Sequence, residues 1–225
     1  MAQEHLKKTN ETTVKKQASE ATEPTDAKDQ FAFGEKYFNG QGVPQDYEKA
    51  LYWYTKAAEQ GYVDAQCKLG NCYNFGEGVP SDFEKAVYWL TKAAEQGNTD
   101  AQYNLGYRYF NKHDMQYYTK AVYWFTKLAE QGNVSTQCEL GLCYYHGLGV
   151  PKDIEKSVYW YTKAAEQGND IAQANLGYIY NKGLGVLQDF AKAVYWYNKA
   201  VEQGSTSAQC NLGICYLIWR RSTAG

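Results

Sequence analysis

The chain has 225 residues, a net charge of −2 and a pI near 6.0, and no run of residues approaches the roughly 18 apolar residues of a membrane span. The balance of 23 basic and 25 acidic residues provides no field that would attract nucleic acid or anionic lipid. The start of the chain lacks the apolar segment of a secretory signal, so we expect a cytoplasmic protein whose six cysteines are free thiols.

Residues 1–28 form the first predicted element. They contain few apolar residues and show no helical stripe. Such a composition cannot bury enough apolar surface to compensate for the loss of chain entropy. We therefore predict a disordered N-terminal tail.

A unit of about 36 residues repeats from residue 29 onward. Tryptophans lie 36, 35, 36 and 36 residues apart, at Trp53, Trp89, Trp124, Trp160 and Trp196. A column of glycines and a column of Leu-Gly pairs keep nearly the same steps. We place repeats at about 29–64, 65–100, 101–135, 136–171 and 172–207, followed by a half repeat at 208–225.

Each repeat predicts two helices. In the second repeat, Ala65, Leu69 and Tyr73 form one stripe of the first helix. Asp82 stands where an N-cap oxygen accepts backbone N–H groups of the second helix, and Gly97 ends that helix. An isolated helix pair cannot bury both of its apolar faces, so we expect neighbouring pairs to stack into a solenoid.

Tyrosine, at 22 residues, outnumbers each branched aliphatic type. Most tyrosines occupy repeat columns: one column lies four residues after the Leu of the Leu-Gly pair, and two others flank the repeat tryptophan. We expect these rings to pack between helices with their hydroxyls at a wet edge, rather than to form a cofactor-binding box.

The repeated pattern Ala-x-x-x-Leu-Gly-x-x-Tyr-x-x-Gly-x-Gly-Val-x-x-Asp-x-x-Lys-Ala-x-x-Trp-Tyr-x-Lys-Ala-Ala-Glu-x-Gly resembles the Sel-one-like repeat, a relative of the tetratricopeptide repeat. The resemblance covers residue 29 to about Tyr216. It implies an all-α fold, a right-handed α/α superhelical solenoid of about five 36-residue helix pairs plus a final capping helix. It also implies a concave surface lined by the first helices, and work as an adaptor or scaffold.

Three parts of the chain depart from the pattern. The first repeat has Asp29 and Phe33 in place of Ala and Leu, as expected of a terminal cap. The third repeat is one residue shorter, and Tyr117 stands at its usual N-cap position. The pattern stops after Tyr216, so residues 208–225 are either a capping helix or the start of a truncated array.

No constellation of residues indicates an active site, a cofactor or a metal. Cys138, Cys143 and His146 are competent zinc ligands, but no fourth ligand is placed near them. His5 and His113 do not lie beside a Ser or Cys that a base could activate. The Gly-x-Gly loops follow helices and lack the strand that phosphate-binding motifs need. We predict that the protein is not an enzyme.

Variable positions on the first helices are the candidate binding residues. They directly precede the Leu, or directly follow the Gly, of the Leu-Gly pair, and should face the concave side: Lys68, Asn71, Asn104, Tyr107, Glu139, Leu142, Asn175, Tyr178 and Asn211. Asn and Tyr suit recognition of an extended peptide, because they combine adaptable hydrogen bonding with ring contacts. We predict a scaffold or adaptor that binds a protein or peptide there. The alternative is a regulatory or activator subunit of an enzyme, such as a cell-wall polysaccharide synthase or a kinase.

Overall fold

A computed structural model of the protein describes residues 23–223. These residues form eleven helices and no strand. In chain order the helices are α1 (Ala27–Asn39), α2 (Tyr47–Glu59), α3 (Val63–Phe75), α4 (Phe83–Glu95), α5 (Thr99–Phe110), α6 (Met115–Glu130), α7 (Val134–His146), α8 (Ile154–Glu166), α9 (Asp170–Lys182), α10 (Phe190–Glu202) and α11 (Thr206–Thr223). The prediction of an all-α array of five helix pairs and a last helix is confirmed. Residues 1–22 of the predicted tail lie outside the described residues, and residues 27 and 28 begin α1.

The chain divides into two compact units, Met1–Leu69 and Gly70–Gly225, and the boundary falls within α3. In the first unit, α1 packs against α2. In the second unit, each first helix (α5, α7 and α9) packs against the second helix of its own repeat and against the second helix of the preceding repeat. Within the described residues, no helix is long and apolar enough to cross a membrane.

Capping side chains define where the helices begin. Asp82, Asp153 and Asp189 each accept the backbone N–H of the lysine three residues later, at 2.9–3.0 Å, as predicted for Asp82. Asparagine does the same for the first helices at Asn98 and Asn133, where it accepts an N–H at 2.8 and 2.9 Å. Each such cap typically contributes about 1 kcal/mol to helix stability.

The glycine of the Leu-Gly pair lets a first helix lie close to a large side chain of the following second helix, which is Leu90 at Gly70, Phe125 at Gly106, Tyr161 at Gly141 and Tyr197 at Gly177. A Cβ added at Gly141 would lie 2.5 Å from Tyr161, and one added at Gly177 would lie 2.6 Å from Tyr197. Real Cβ atoms do not approach other carbon atoms so closely, so only glycine permits this helix separation. Tyr161 and Tyr197 are accordingly buried.

The tyrosine columns differ in burial. The residues that follow the repeat tryptophan, Tyr54, Tyr161 and Tyr197, are at most 1% exposed. Those that precede it are 49–54% exposed and lie on the outer side of the second helices: Tyr52, Tyr88, Tyr123, Tyr159 and Tyr195. The expectation that this column packs between helices is therefore wrong, because two positions that are two residues apart point about 160° away from each other on a helix.

Buried glutamines connect successive helices. Gln173 donates from Nε2 to the Ala165 carbonyl at 3.0 Å, and its Oε1 accepts Nε2 of Gln203 at 2.7 Å. Gln137 makes the same two bonds one repeat earlier, to the Ala129 carbonyl and from Gln167. The bonds to Ala129 and Ala165 satisfy carbonyls at the end of the preceding helix that would otherwise be buried without a partner.

The short third repeat interrupts this glutamine ladder. Gln102 donates to the Ala94 carbonyl at 3.0 Å, but its buried Oε1 has no hydrogen-bond partner. The turn before the next helix is also altered: His113 adopts φ 52°, and Asp114 caps α6. The cap therefore lies three residues before Tyr117, the position that the repeat pattern indicates for it, and the helix begins at Met115.

We expect Gly177→Ala to destabilise the fold by about 1–3 kcal/mol, because the added methyl group overlaps the Tyr197 ring. Gly213→Ala is the matched control: no described atom lies within 4 Å of a Cβ added there, and alanine favours the helix by up to about 1 kcal/mol. Thermal and urea unfolding measure both variants. Equal effects of the two substitutions would contradict the close-contact explanation.

Replacing the ladder glutamines by methionine should have unequal costs. Each substitution leaves one carbonyl without its donor, that of Ala165 or that of Ala94. Gln173→Met also removes the part-buried bond from Gln203, whereas Gln102→Met removes an oxygen that is already unpaired. We expect Gln173→Met to cost about 1 kcal/mol more in the free energy of unfolding. Urea denaturation measures the free energy of unfolding of both variants. A larger loss in Gln102→Met than in Gln173→Met would contradict this expectation.

Candidate functional site

The predicted binding residues of the second unit lie on consecutive first helices. Those on α3, α5, α7 and α9, together with Asn211 on α11, are half-buried, except Tyr178, which is 38% exposed. Lys68 belongs to the first unit, where its Nζ lies 3.9 Å from the centre of the Phe38 ring. The candidate site described below comprises only residues of the second unit.

Four of the predicted residues bind one another across adjacent first helices. Asn104 donates from Nδ2 to Oδ1 of Asn71 at 2.8 Å, which joins α5 to α3. The Tyr107 hydroxyl donates to Oε1 of Glu139 at 2.9 Å, which joins α5 to α7. The ring of Tyr107 also packs against Phe125, with ring centroids 5.1 Å apart. The contacts hold these polar side chains in one arrangement before any ligand binds.

Glu139 is an acid in a half-buried position. Burial raises the pKa of its carboxyl group, and the hydrogen bond from Tyr107 acts in the opposite direction. Burial, and then the nearby carboxylate, raise the pKa of the Tyr107 hydroxyl, so the hydroxyl stays protonated and donates. Among the described residues, ion pairs join lysines to the Asp three residues earlier, and Glu139 takes part in none of them.

A pocket of about 130 Å³ lies between α7 and α9, and the ring of Tyr161 on α8 forms part of its wall. Three predicted residues, Leu142, Asn175 and Tyr178, line it. The other lining residues were not predicted from the sequence: Tyr145, His146, Tyr161 and Ile179. A cavity of this size is close to one that accepts a benzene ring, so it suits one branched or aromatic side chain.

The repeat pattern contains a signal for part of this missed lining. Tyr161 is the buried ring that contacts Gly141, and it forms one wall of the pocket as well as the helix contact. Its position follows the repeat Trp directly and is therefore readable from the sequence. Tyr145 and His146 lie at the end of α7, outside any column that recurs, so periodicity gives no indication of their role.

Asn211 remains apart from this group. It lies on α11, and neither the pocket nor the hydrogen bonds between first helices include it. On the same helix, Ile214 is 50% exposed. The structure therefore concentrates the predicted site on α3, α5, α7 and α9.

Five of the six cysteines are buried core residues, and Cys210 is exposed. Cys138 and Cys143 are buried, and burial raises the pKa of each thiol to about 12. Such thiols carry almost no thiolate at neutral pH and are poor nucleophiles. Among residues 23–223, no group of three or more His, Cys, Asp or Glu side chains is placed to hold a metal.

Two further grooves, of about 420 and 380 Å³, lie between consecutive second helices. Equivalent residues 36 positions apart line them, including Tyr159 with Lys163 and Tyr195 with Lys199. The grooves therefore repeat with the fold. By contrast, the Tyr107–Glu139 pair and the pocket beside Leu142 use residue types that change from repeat to repeat.

Comparisons with known proteins agree with this architecture. The Sel1 repeat matches residues 29–62, 63–98, 99–133, 134–169, 170–205 and 206–218. A solved Sel1 repeat protein from Oxalobacter formigenes is 35% identical over 84% of this chain and 75% of its own length, with a TM-score of 0.67. A protective antigen of uropathogenic Escherichia coli with the same kind of fold is 33% identical, with a TM-score of 0.49; the match covers 84% of this chain and 49% of the antigen.

Curated protein sequences give no match. The repeat matches nevertheless extend from the first described helix into the last, and their boundaries follow the helix pairs. This chain belongs to the Sel1 repeat family.

Proposed function

We propose that this protein is a non-enzymatic scaffold or adaptor that binds a protein or peptide on the face formed by the first helices of residues 70–223. The observation that carries the proposal is the preorganised row of amide, tyrosine and carboxylate side chains on that face, with an apolar pocket beside it. Preorganisation reduces the entropy that a partner's binding must overcome.

Sel1 repeat proteins are generally protein–protein interaction scaffolds, and their repeats are generally non-catalytic. The composition of this face supports the same role in this chain. Amide groups can hydrogen-bond the backbone of an extended segment, and tyrosine supplies contact area at low cost in conformational entropy. A regulatory subunit of an enzyme would use the same face, with a catalytic chain as its partner.

The proposal predicts that Tyr178→Ala weakens partner binding by about tenfold or more, because exposed tyrosines at such sites are frequent hot spots. Tyr195→Ala is the matched control, since Tyr195 is 54% exposed on a second helix and lies away from the pocket. The measurement is quantitative recovery of partners from native lysate on immobilised protein, together with the melting temperature of each variant.

Equal recovery by Tyr178→Ala and the unsubstituted protein would overturn the assigned face. A loss with Tyr195→Ala and none with Tyr178→Ala would move the binding surface to the second helices. Steady turnover of a substrate by the purified chain alone would overturn the non-enzymatic role.

A further inference from the structure

One charge stands out on the first-helix face of the second unit. Glu139 is the single charged residue among the predicted binding positions on α3 (from Gly70), α5, α7, α9 and α11. The other positions there carry amides, tyrosines or leucine. This face consequently has a local negative site in an otherwise uncharged row.

The surroundings of Glu139 leave its charge without a cationic neighbour. Its described hydrogen bond comes from the neutral hydroxyl of Tyr107, and no Lys or Arg contributes to the shift of its pKa. A partly desolvated carboxylate with only a neutral donor is costly, and a well-placed cation offsets part of that cost. A cation supplied by a ligand would restore the interactions that burial removes.

The pocket beside Leu142 lies about one helical turn from Glu139 along α7. Glu139 and Leu142 are at positions i and i+3 of α7, which places their Cβ atoms about 5–6 Å apart. In an extended chain, side chains two residues apart point to the same side at about 6.6–6.8 Å. An extended peptide can therefore place one side chain at Glu139 and another in the pocket.

We infer that the occupant is an extended peptide segment with a lysine or arginine about two residues from a branched aliphatic or aromatic side chain. The inference rests on the proposed function and specifies its partner. Glu139 binds the cation, Tyr107 holds the carboxylate in place, and the pocket beside Leu142 receives the apolar side chain. Asn175, on the pocket wall, is in position to hydrogen-bond the peptide backbone.

Selection from a library of random ten-residue peptides, displayed and sequenced after capture on the immobilised full chain, tests this specificity. The expected result is enrichment of Lys or Arg about two residues from Leu, Ile, Val or Phe. A selected peptide should bind Glu139→Gln about tenfold more weakly, although Gln can still accept the Tyr107 hydrogen bond and keep the fold intact. Glu139→Lys should reverse the selected charge to Asp or Glu.

Glu166→Gln is the control, since Glu166 lines the grooves between second helices and should not affect the selected sequences. Peptides selected without a cationic preference, or unchanged affinity in Glu139→Gln at an unchanged melting temperature, would overturn the inference. Capture of no peptide would overturn it too. The lysate comparison of Tyr178→Ala with Tyr195→Ala decides the proposed function independently of these results.

Discussion

The close contact between the glycine of the Leu-Gly pair and a large side chain of the following helix is the constraint on which the rest of the structure depends. At Gly141 and Gly177 there is no space for even one methyl group, because the rings of Tyr161 and Tyr197 occupy it. This contact explains how a chain poor in branched aliphatic residues forms a core: large rings fill the space, and alanines at the neighbouring positions allow the helices to approach. It also places the Tyr161 ring where it serves as a wall of the pocket beside Leu142.

Hydrogen bonds between buried polar groups also hold neighbouring helices together. The ladder bonds that Gln137 and Gln173 donate to the Ala129 and Ala165 carbonyls attach a first helix to the preceding repeat. The bonds that the same glutamines accept from Gln167 and Gln203 attach it to the second helix of its own repeat. Most of the stabilising interactions therefore lie between adjacent segments of the chain, as is usual for repeat proteins. Because periodic contacts hold the fold together, the positions on the exposed face of the first helices are free to vary, and those positions carry the candidate site.

Periodicity also determines how much could be predicted from the sequence. Three features recur in the repeats: the helix pairs, the caps at residues such as Asp82, and the contacts of the Leu-Gly glycine. A prediction of such a feature in one repeat is therefore supported by the same residues in the other repeats. The bond between Tyr107 and Glu139 has no such support, since Glu139 is the only acid in its column and the two residues lie 32 positions apart. The cap at Asp114 was missed for a related reason: a deletion shifts the local structure away from the column, and the available N-cap side chain then decides where the helix begins.

The deletion in the third repeat limits how the repeats of this chain can be duplicated, exchanged or moved. The glutamine pair is complete within the fourth repeat and within the fifth, so duplication or exchange of these repeats would preserve it. The third repeat is different, because the Oε1 atom of Gln102 is buried without a donor. Recombination or consensus design that moves the third repeat elsewhere would carry this mismatch with it. The repeats of this chain are therefore similar modules that are not all interchangeable.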